Sequence, residues 1–189
     1  MTRADEVVAA ARVVLERDGA EGLTMQAVAA ELHIKAPSLY KHVDGKRAIE
    51  IELVALALSE MGQALHDALA ATGAGGAGPR GRDRVATLLA AYRRHALAHP
   101  NLYRLATAGP LPRHQLPPGL EDWAGEPFLT VTGDPHRAQA LWAYAHGMVV
   151  LELDGRFPAG SELDVTWSAG ASAFAGRVDL AGVAHPHGD

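Results

Sequence analysis

The sequence predicts an all-α protein with a small N-terminal module and a larger C-terminal one. Three observations carry that expectation. Apolar residues recur at helical spacing, as at Val7, Ala11, Val14 and Leu15, without the alternation of a strand. Glycine, proline and short polar residues stand at the ends of such runs, where helices start and stop. A Gly-rich break, TGAGGAGPRG at Thr72–Gly81, separates two blocks of helical pattern.

The first helix meets its stop signal at Gly19. Thr24 is placed to cap a second helix through about Leu32, its hydroxyl accepting from the exposed backbone amides. Ala27 stands where a capping box needs an acid, so the cap is half a box. After a short break, a third helix is expected from about Ala36 to Val43. Pro37 is tolerated in its first turn, where the missing N–H has no intrahelical partner. Asp44 is placed to cap a long fourth helix from about Lys46 to Leu69. Beyond the break, helical pattern covers Arg82–Ala98, closed by His99-Pro100, and then Asn101–Ala108. Gly109–Gly119 holds four prolines and reads as a loop. Leu120–Thr132 reads ambiguously, as a helix interrupted at Pro127. Asp134–Leu153 has a cap and Pro135 at its first position, and Ser161–Val178 is a last helix rich in Ala, Gly and Ser. The tail His185–Asp189 is expected to fray.

At 189 residues, 48% hydrophobic and 21% charged, the chain suits one compact domain or two small ones and excludes wholesale disorder. It has no cysteine, which excludes a disulfide scaffold, a thiolate nucleophile and a zinc site built on sulfur, and fits a reducing compartment. Apolar stretches such as Leu53–Leu58 and Met148–Leu151 are far too short to span a bilayer. Asp5, Glu6, Glu16 and Asp18 are foreign to a secretory or transit leader. The expectation is a soluble, cytoplasmic protein with no membrane partner.

A net charge of −5 argues against a surface coated in nucleic acid, but the distribution is more telling than the sum. All three lysines, Lys35, Lys41 and Lys46, lie within twelve residues. Of ten aromatic residues, only Tyr40 precedes Tyr92. The second and third expected helices, joined by a tight turn, match helix-turn-helix geometry. In that arrangement the third helix enters the major groove, so its first residues must be small or polar. Lys35 suits guanine O6 and N7, while Ala36 and Pro37 suit thymine methyls. Ser38, Tyr40, Lys41, His42 and Lys46 are donors for phosphates, which fix register without reading sequence. Leu39 and Val43 lie four apart on the opposite face and anchor the helix.

The run LTMQAVAAELHIKAPSLYKHVDGKRAI, Leu23–Ile49, resembles the DNA-binding signature of tetracycline-repressor (TetR) family transcriptional regulators. The most specific part is LYKHV followed by Gly45-Lys46. The resemblance implies that Thr24 caps the second helix and contacts phosphate. It implies that Lys35, Ala36 and Pro37 face bases, and that Ser38, Tyr40, His42 and Lys46 hold the DNA backbone. The chain departs from the family at His33, where a turn glycine is common, and at Lys35, where a capping serine is frequent. On this reading, residues 1–47 form the helix-turn-helix domain and residues 48–189 a helical effector-binding and dimerisation domain.

In the second half, LWAYAHGMVVLEL at Leu141–Leu153 resembles the Trp-x-x-x-His-Gly element of one C-terminal subgroup of the family. Gly147 and Gly170 interrupt helices and so need a packing reason, which a four-helix interface between two subunits would supply. Ala169, Ala173 and Gly176 offer a small-residue stripe for the same contact. Leu88, Tyr92, His95 and His99 share a face of the fifth helix. The expected effector-binding residues are Tyr92, His95, Tyr103, Trp123, Phe128, Trp142 and His146, an apolar set with a few polar groups that suits a small hydrophobic effector.

Two rival readings are weaker. His95 and His99 at i, i+4, with His146 or Glu152, make half of a metal site, but Ala96-Leu97-Ala98 lack the general base of H-E-x-x-H. No nucleophile elbow or phosphate loop is present, so neither an enzyme nor a cofactor is expected. A helical adaptor that has lost DNA binding is opposed by the lysine cluster and the intact LYKHV run. The expected partners are double-stranded operator DNA, a small-molecule effector and a second copy of the chain.

Overall fold

The computed structural model describes residues 2–73 and 81–175, and within them the chain is helical with no strand. In chain order the helices are α1 (Arg3–Gly22), α2 (Met25–Glu31), α3 (Ala36–Leu39), α4 (Gly45–Gly73), α5 (Gly81–Ala98), α6 (Pro100–Thr107), α7 (Leu120–Thr132), α8 (Pro135–Leu153) and α9 (Leu163–Ala175). A single 3-10 turn at Arg113–Gln115 sits in the proline-rich loop. The expected end of the last helix at Val178, the stripe residue Gly176 and the tail His185–Asp189 lie outside the described residues, as does most of the Gly-rich break.

α1 opens with a capping box: Thr2 accepts from the Asp5 amide at 3.2 Å, and the Asp5 carboxylate accepts from the Thr2 amide at 2.6 Å. Gly19 bends this helix rather than ending it. Its φ of +74° is open to glycine, and one further turn follows to Gly22. α3 ends four residues earlier than its apolar pattern suggested, because the amides of His42 and Val43 both turn in to the Leu39 carbonyl, at 2.8 and 3.1 Å.

α7 is the larger surprise, since it runs unbroken through Pro127. A proline there deprives the carbonyl four residues back, that of Trp123, of its helical donor. His66 of α4 supplies the replacement: its Nε2 lies 3.0 Å from Trp123 O, and a carbonyl only accepts, so Nε2 carries the proton. The imidazole also stacks on the Trp123 indole, with ring centroids 4.9 Å apart. Gly62, one turn earlier on α4, makes room for that indole; a Cβ there would stand 2.5 Å from it.

Two hydrophobic cores share α4. The first gathers Val7, Ala11, Val14 and Leu15 of α1, Val28 and Ala29 of α2, Leu39 of α3, Ile49, Leu53 and Ala57 of α4, and Leu102 of α6. The second takes Leu65 and Leu69 of α4, then Leu88, Leu89 and Tyr92 of α5, Phe128 of α7, Leu141, Ala145 and Val149 of α8, and Trp167 of α9. A smaller cluster folds Leu111 and Leu116 of the proline-rich loop onto Ile51 and Val54 of α4.

Arg93 of α5 pins the last two helices. Its guanidinium holds Glu152 of α8 at 2.7 Å and Asp164 of α9, and lies 5.7 Å over the Trp167 ring. Gly170 finds its packing reason inside the subunit, since a Cβ there would strike the Tyr144 phenol at 2.1 Å. Gly147 has no such reason, because a Cβ there would meet nothing within 4 Å.

Candidate functional site

The segment from Thr24 to Lys46 is built by local hydrogen bonds. Thr24 Oγ1 accepts from the Ala27 amide at 3.1 Å and starts α2. α2 closes in a Schellman motif: the Ile34 amide donates to Ala29 O at 3.0 Å and the His33 amide to Ala30 O at 3.0 Å. His33 occupies the left-handed position of that motif, with φ +55°, the one positive-φ residue other than glycine among the described residues. The chain then enters α3 from Lys35, whose side chain makes no cap bond.

This geometry sorts the side chains. Leu39 is fully buried and Val43 half-buried against the first core, so the opposite face of α3 looks outward. On or beside that face, Thr24, Lys35, Pro37, Tyr40, Lys41, His42 and Lys46 are exposed, and Ala36 and Ser38 half-buried. Tyr40 is 61% exposed, an unusual setting for an aromatic ring with no partner to meet. Lys35 and Lys41 have no ion-pair partner among the described residues. Lys46 donates to Ala20 O at 3.2 Å and stands 3.8 Å from Glu50. The result is an outward-facing set of donors and cations with an anchored apolar back.

In the C-terminal core, five of the seven expected effector residues form one connected group. Tyr92 and Tyr103 share a hydrogen bond between hydroxyls at 2.9 Å, and the Tyr103 hydroxyl meets His146 Nδ1 at 2.8 Å. Trp142 stacks on His146, with centroids 5.8 Å apart and planes at 17°. Phe128 packs edge-on against Tyr92 at 5.8 Å. Burial raises both phenols, Tyr92 well above its ordinary value and Tyr103 to about 12, and it lowers His146. The three hydrogen-bonding side chains, Tyr92, Tyr103 and His146, are therefore uncharged at neutral pH. The group is graded in exposure: Tyr92 and Tyr103 are buried, His146 is half-buried, and Trp142 is 48% exposed.

The other two expected residues lie elsewhere. Trp123 packs on His66 and Gly62 at the α4–α7 contact. His95 lies edge-on to His99, with ring centroids 5.0 Å apart, near Glu60 and Arg12. Burial and then the His99 charge lower its pKa, and Glu60 opposes them. The metal reading of the pair loses its carboxylate, because Glu152 is held by Arg93 and by the Trp167 indole N–H at 3.2 Å.

Between the two cores is a joint that the sequence did not reveal. The Glu16 carboxylate of α1 accepts from the backbone amides of Asn101 at 3.2 Å and Leu102 at 2.9 Å, and so caps α6. Asn101 Nδ2 returns a bond to Glu16 O at 3.0 Å. His99, the N-cap residue of α6, makes no side-chain cap bond of its own. Arg12 of α1 pairs with Glu60 of α4 beside it. No periodicity signals such contacts, which join residues far apart in the chain.

Residues 7–53 match the bacterial regulatory proteins of the tetR family, and residues 85–174 match a tetracyclin repressor-like C-terminal domain. The chain belongs to the TetR family. An uncharacterised HTH-type transcriptional regulator of Mycobacterium tuberculosis is 29% identical over 167 residues, covering 80% of this chain and 70% of that one. A protein of unknown function from Rhodococcus sp. RHA1 shares the fold at a TM-score of 0.76, with 21% identity over 93% of this chain and 94% of that one. A TetR protein of Acinetobacter baumannii AYE, in complex with minocycline, shares it at 0.62, with 21% identity over 93% of this chain and 94% of that one.

This TetR-family chain is accordingly a DNA-binding transcriptional regulator of the helix-turn-helix class. The matched N-terminal segment ends inside α4, and the helix continues from there into the second core. Among the described residues, no helix is long and apolar enough to cross a membrane.

Proposed function

We propose that the protein is a ligand-responsive repressor. It binds a pseudo-palindromic operator as a homodimer and leaves it when a small hydrophobic effector occupies the C-terminal domain. Residues 1–47 serve as the DNA-binding module and residues 48–189 as the effector and dimerisation module, with α4 shared between them. Lys35, Ala36 and Pro37 face base edges. Thr24, Ser38, Tyr40, Lys41, His42 and Lys46 hold phosphates. Two recognition helices set one helical turn apart, about 34 Å, would read successive major grooves.

One observation carries the regulatory half of the proposal: Leu102 and Tyr103 are consecutive in α6 but belong to different cores. Leu102 is buried in the DNA-binding core, and its amide is held by Glu16. Tyr103 is buried in the C-terminal core and bonded to Tyr92 and His146. A ligand that displaces Tyr103 therefore moves a residue bonded directly to one that the DNA-binding module grips. To switch the operator from 99% bound to 99% free, that ligand must favour the released state by about 5.5 kcal/mol. The minocycline complex of the Acinetobacter neighbour supports a small-molecule ligand for this chain, without saying where it binds.

Support for the homodimer comes from the outer faces of the last two helices. Leu151 on α8 and Val165 on α9 are exposed, and Val165 is 60% so. Asp164, Val165, Ser168, Ala169 and Ser172 line a shallow open recess on α9. Gly147 presents open space that a partner helix would fill.

The test is fluorescence anisotropy of the purified protein on DNA from immediately upstream of its own gene, against a shuffled control, at two salt concentrations. Tight binding that prefers the native DNA and falls steeply with salt supports the proposal, because phosphate contacts release counterions. Absence of binding to either DNA at low salt would sink it and favour the adaptor.

A further inference from the structure

Tyr92, Tyr103 and His146 form a hydrogen-bonded chain whose direction is decided by proton counting. A phenol has one proton to donate, and a neutral imidazole has one donor nitrogen and one acceptor nitrogen. The chain has two links, Tyr92 to Tyr103 at 2.9 Å and Tyr103 to His146 Nδ1 at 2.8 Å. Were Nδ1 the donor, Tyr103 would pass its proton to Tyr92, whose own proton would be left in a site only 3% exposed with no acceptor among the described residues. Buried donors are rarely left so. The order that satisfies every proton runs from Tyr92 to Tyr103 to His146 Nδ1. It leaves the imidazole proton on Nε2. That nitrogen has no hydrogen-bond partner among the described residues and is absent from their buried unpaired atoms, so it opens toward solvent beside the half-exposed Trp142.

We propose that His146 Nε2–H is the specificity-determining donor of the effector site, and that the site takes a flat, largely apolar molecule carrying an uncharged carbonyl oxygen. The oxygen accepts from Nε2–H, and the body of the ligand lies along the Trp142 indole. A ketone, ester, lactone or amide fits better than a carboxylate, because the side chains that meet there are all neutral and none repays the desolvation of a charge. This inference rests on the reading of the Tyr92–Tyr103–His146–Trp142 group as the effector site.

The full-length protein labelled with 15N-histidine tests both. Two-bond proton–nitrogen correlations report which imidazole nitrogen carries the proton. His146 is expected as the Nε2–H tautomer, and Tyr103→Phe, which removes the donor to Nδ1, is expected to release it to a mixture. A His146 proton found on Nδ1 in the unaltered protein overturns the assignment. The ligand class is then read with a matched pair, 2-acetylnaphthalene and 2-ethylnaphthalene, which differ in one carbonyl. The ketone is expected to shift the His146 resonances and to bind roughly two- to tenfold tighter, the range that one net hydrogen bond supplies. Equal affinities, with both probes shifting His146, would overturn the ligand class and leave the effector site standing. If neither probe shifts His146 up to its solubility limit, the effector-site reading fails and the inference with it.

Discussion

His33 adopts the left-handed backbone that closes α2, a conformation in which its Cβ crowds the following carbonyl. Replacing it with glycine removes that crowding and leaves both Schellman bonds possible. His33→Gly is expected to raise stability by about 1 kcal/mol in urea unfolding; a lower midpoint would show that the imidazole stabilises the turn in some other way. On the proposed assignment, Tyr40 and Lys35 would separate two kinds of DNA contact. Tyr40→Phe is expected to weaken binding to all operator variants alike, by about 1 kcal/mol, because a phosphate bond carries no sequence information. Lys35→Ala is expected to relax preference at one operator position as well as weaken binding, and a uniform loss would place Lys35 on the backbone instead. The placement of these residues was legible in the sequence because it depends on neighbours within a few positions. The Thr24 cap, the turn after Leu32 and the buried Leu39 are all short-range features.

Among the elements, α7 shows where local reading fails. Pro127 is a sound reason to expect a break, and the helix continues only because His66 donates to the carbonyl that the proline left open. A double-mutant cycle isolates that donation. His66→Phe, which keeps a ring against Trp123, is expected to cost about 1 kcal/mol when the half-buried Trp123 O is left without its donor. In a Pro127→Ala background, where an amide can return, the same change is expected to cost clearly less. Equal losses in both backgrounds would mean that His66 acts by stacking alone. Two helix-interior glycines of the C-terminal half, Gly147 and Gly170, divide in the same way. Gly170 is explained by Tyr144 of its own subunit, whereas Gly147 is not explained within the subunit.

At the scale of the molecule, the α1–α6 joint and two imidazoles govern how the halves hold together. Glu16→Ala leaves two α6 amides without their acceptor and is expected to cost about 1–3 kcal/mol. Amide hydrogen exchange at Asn101 and Leu102 should then accelerate more than in the rest of α6, and unchanged protection there would show that water replaces the carboxylate. His95 and His146 both have folded-state pKa values held below the ordinary 6.5, chiefly by burial. The unfolded chain therefore binds more protons as pH falls. Stability from this source is fully present above about pH 6.5 and declines as pH drops through the folded values of the two groups. Thermal unfolding midpoints at pH 7.5 and pH 5.5 should show the decline, and His146→Gln should reduce it; a midpoint that rises on acidification would reverse the sign.

The sequence by itself determined the all-α class, the order of the helices and the outward-facing donors that flank α3. Those features follow from periodicity, caps and turns, which act over one or two helical turns of chain. Tertiary structure alone decided that α7 survives its proline, that Glu16 caps α6, that Arg93 pins α8 and α9, and that Tyr92, Tyr103, Phe128, Trp142 and His146 meet while His95 and Trp123 stand apart. Each of these depends on a group brought from a distant part of the chain, either to satisfy a partly buried donor, acceptor or charge or to pack against a ring. Which partner arrives is set by how the helices pack around α4, and that packing leaves no trace in the spacing of residues along any one helix.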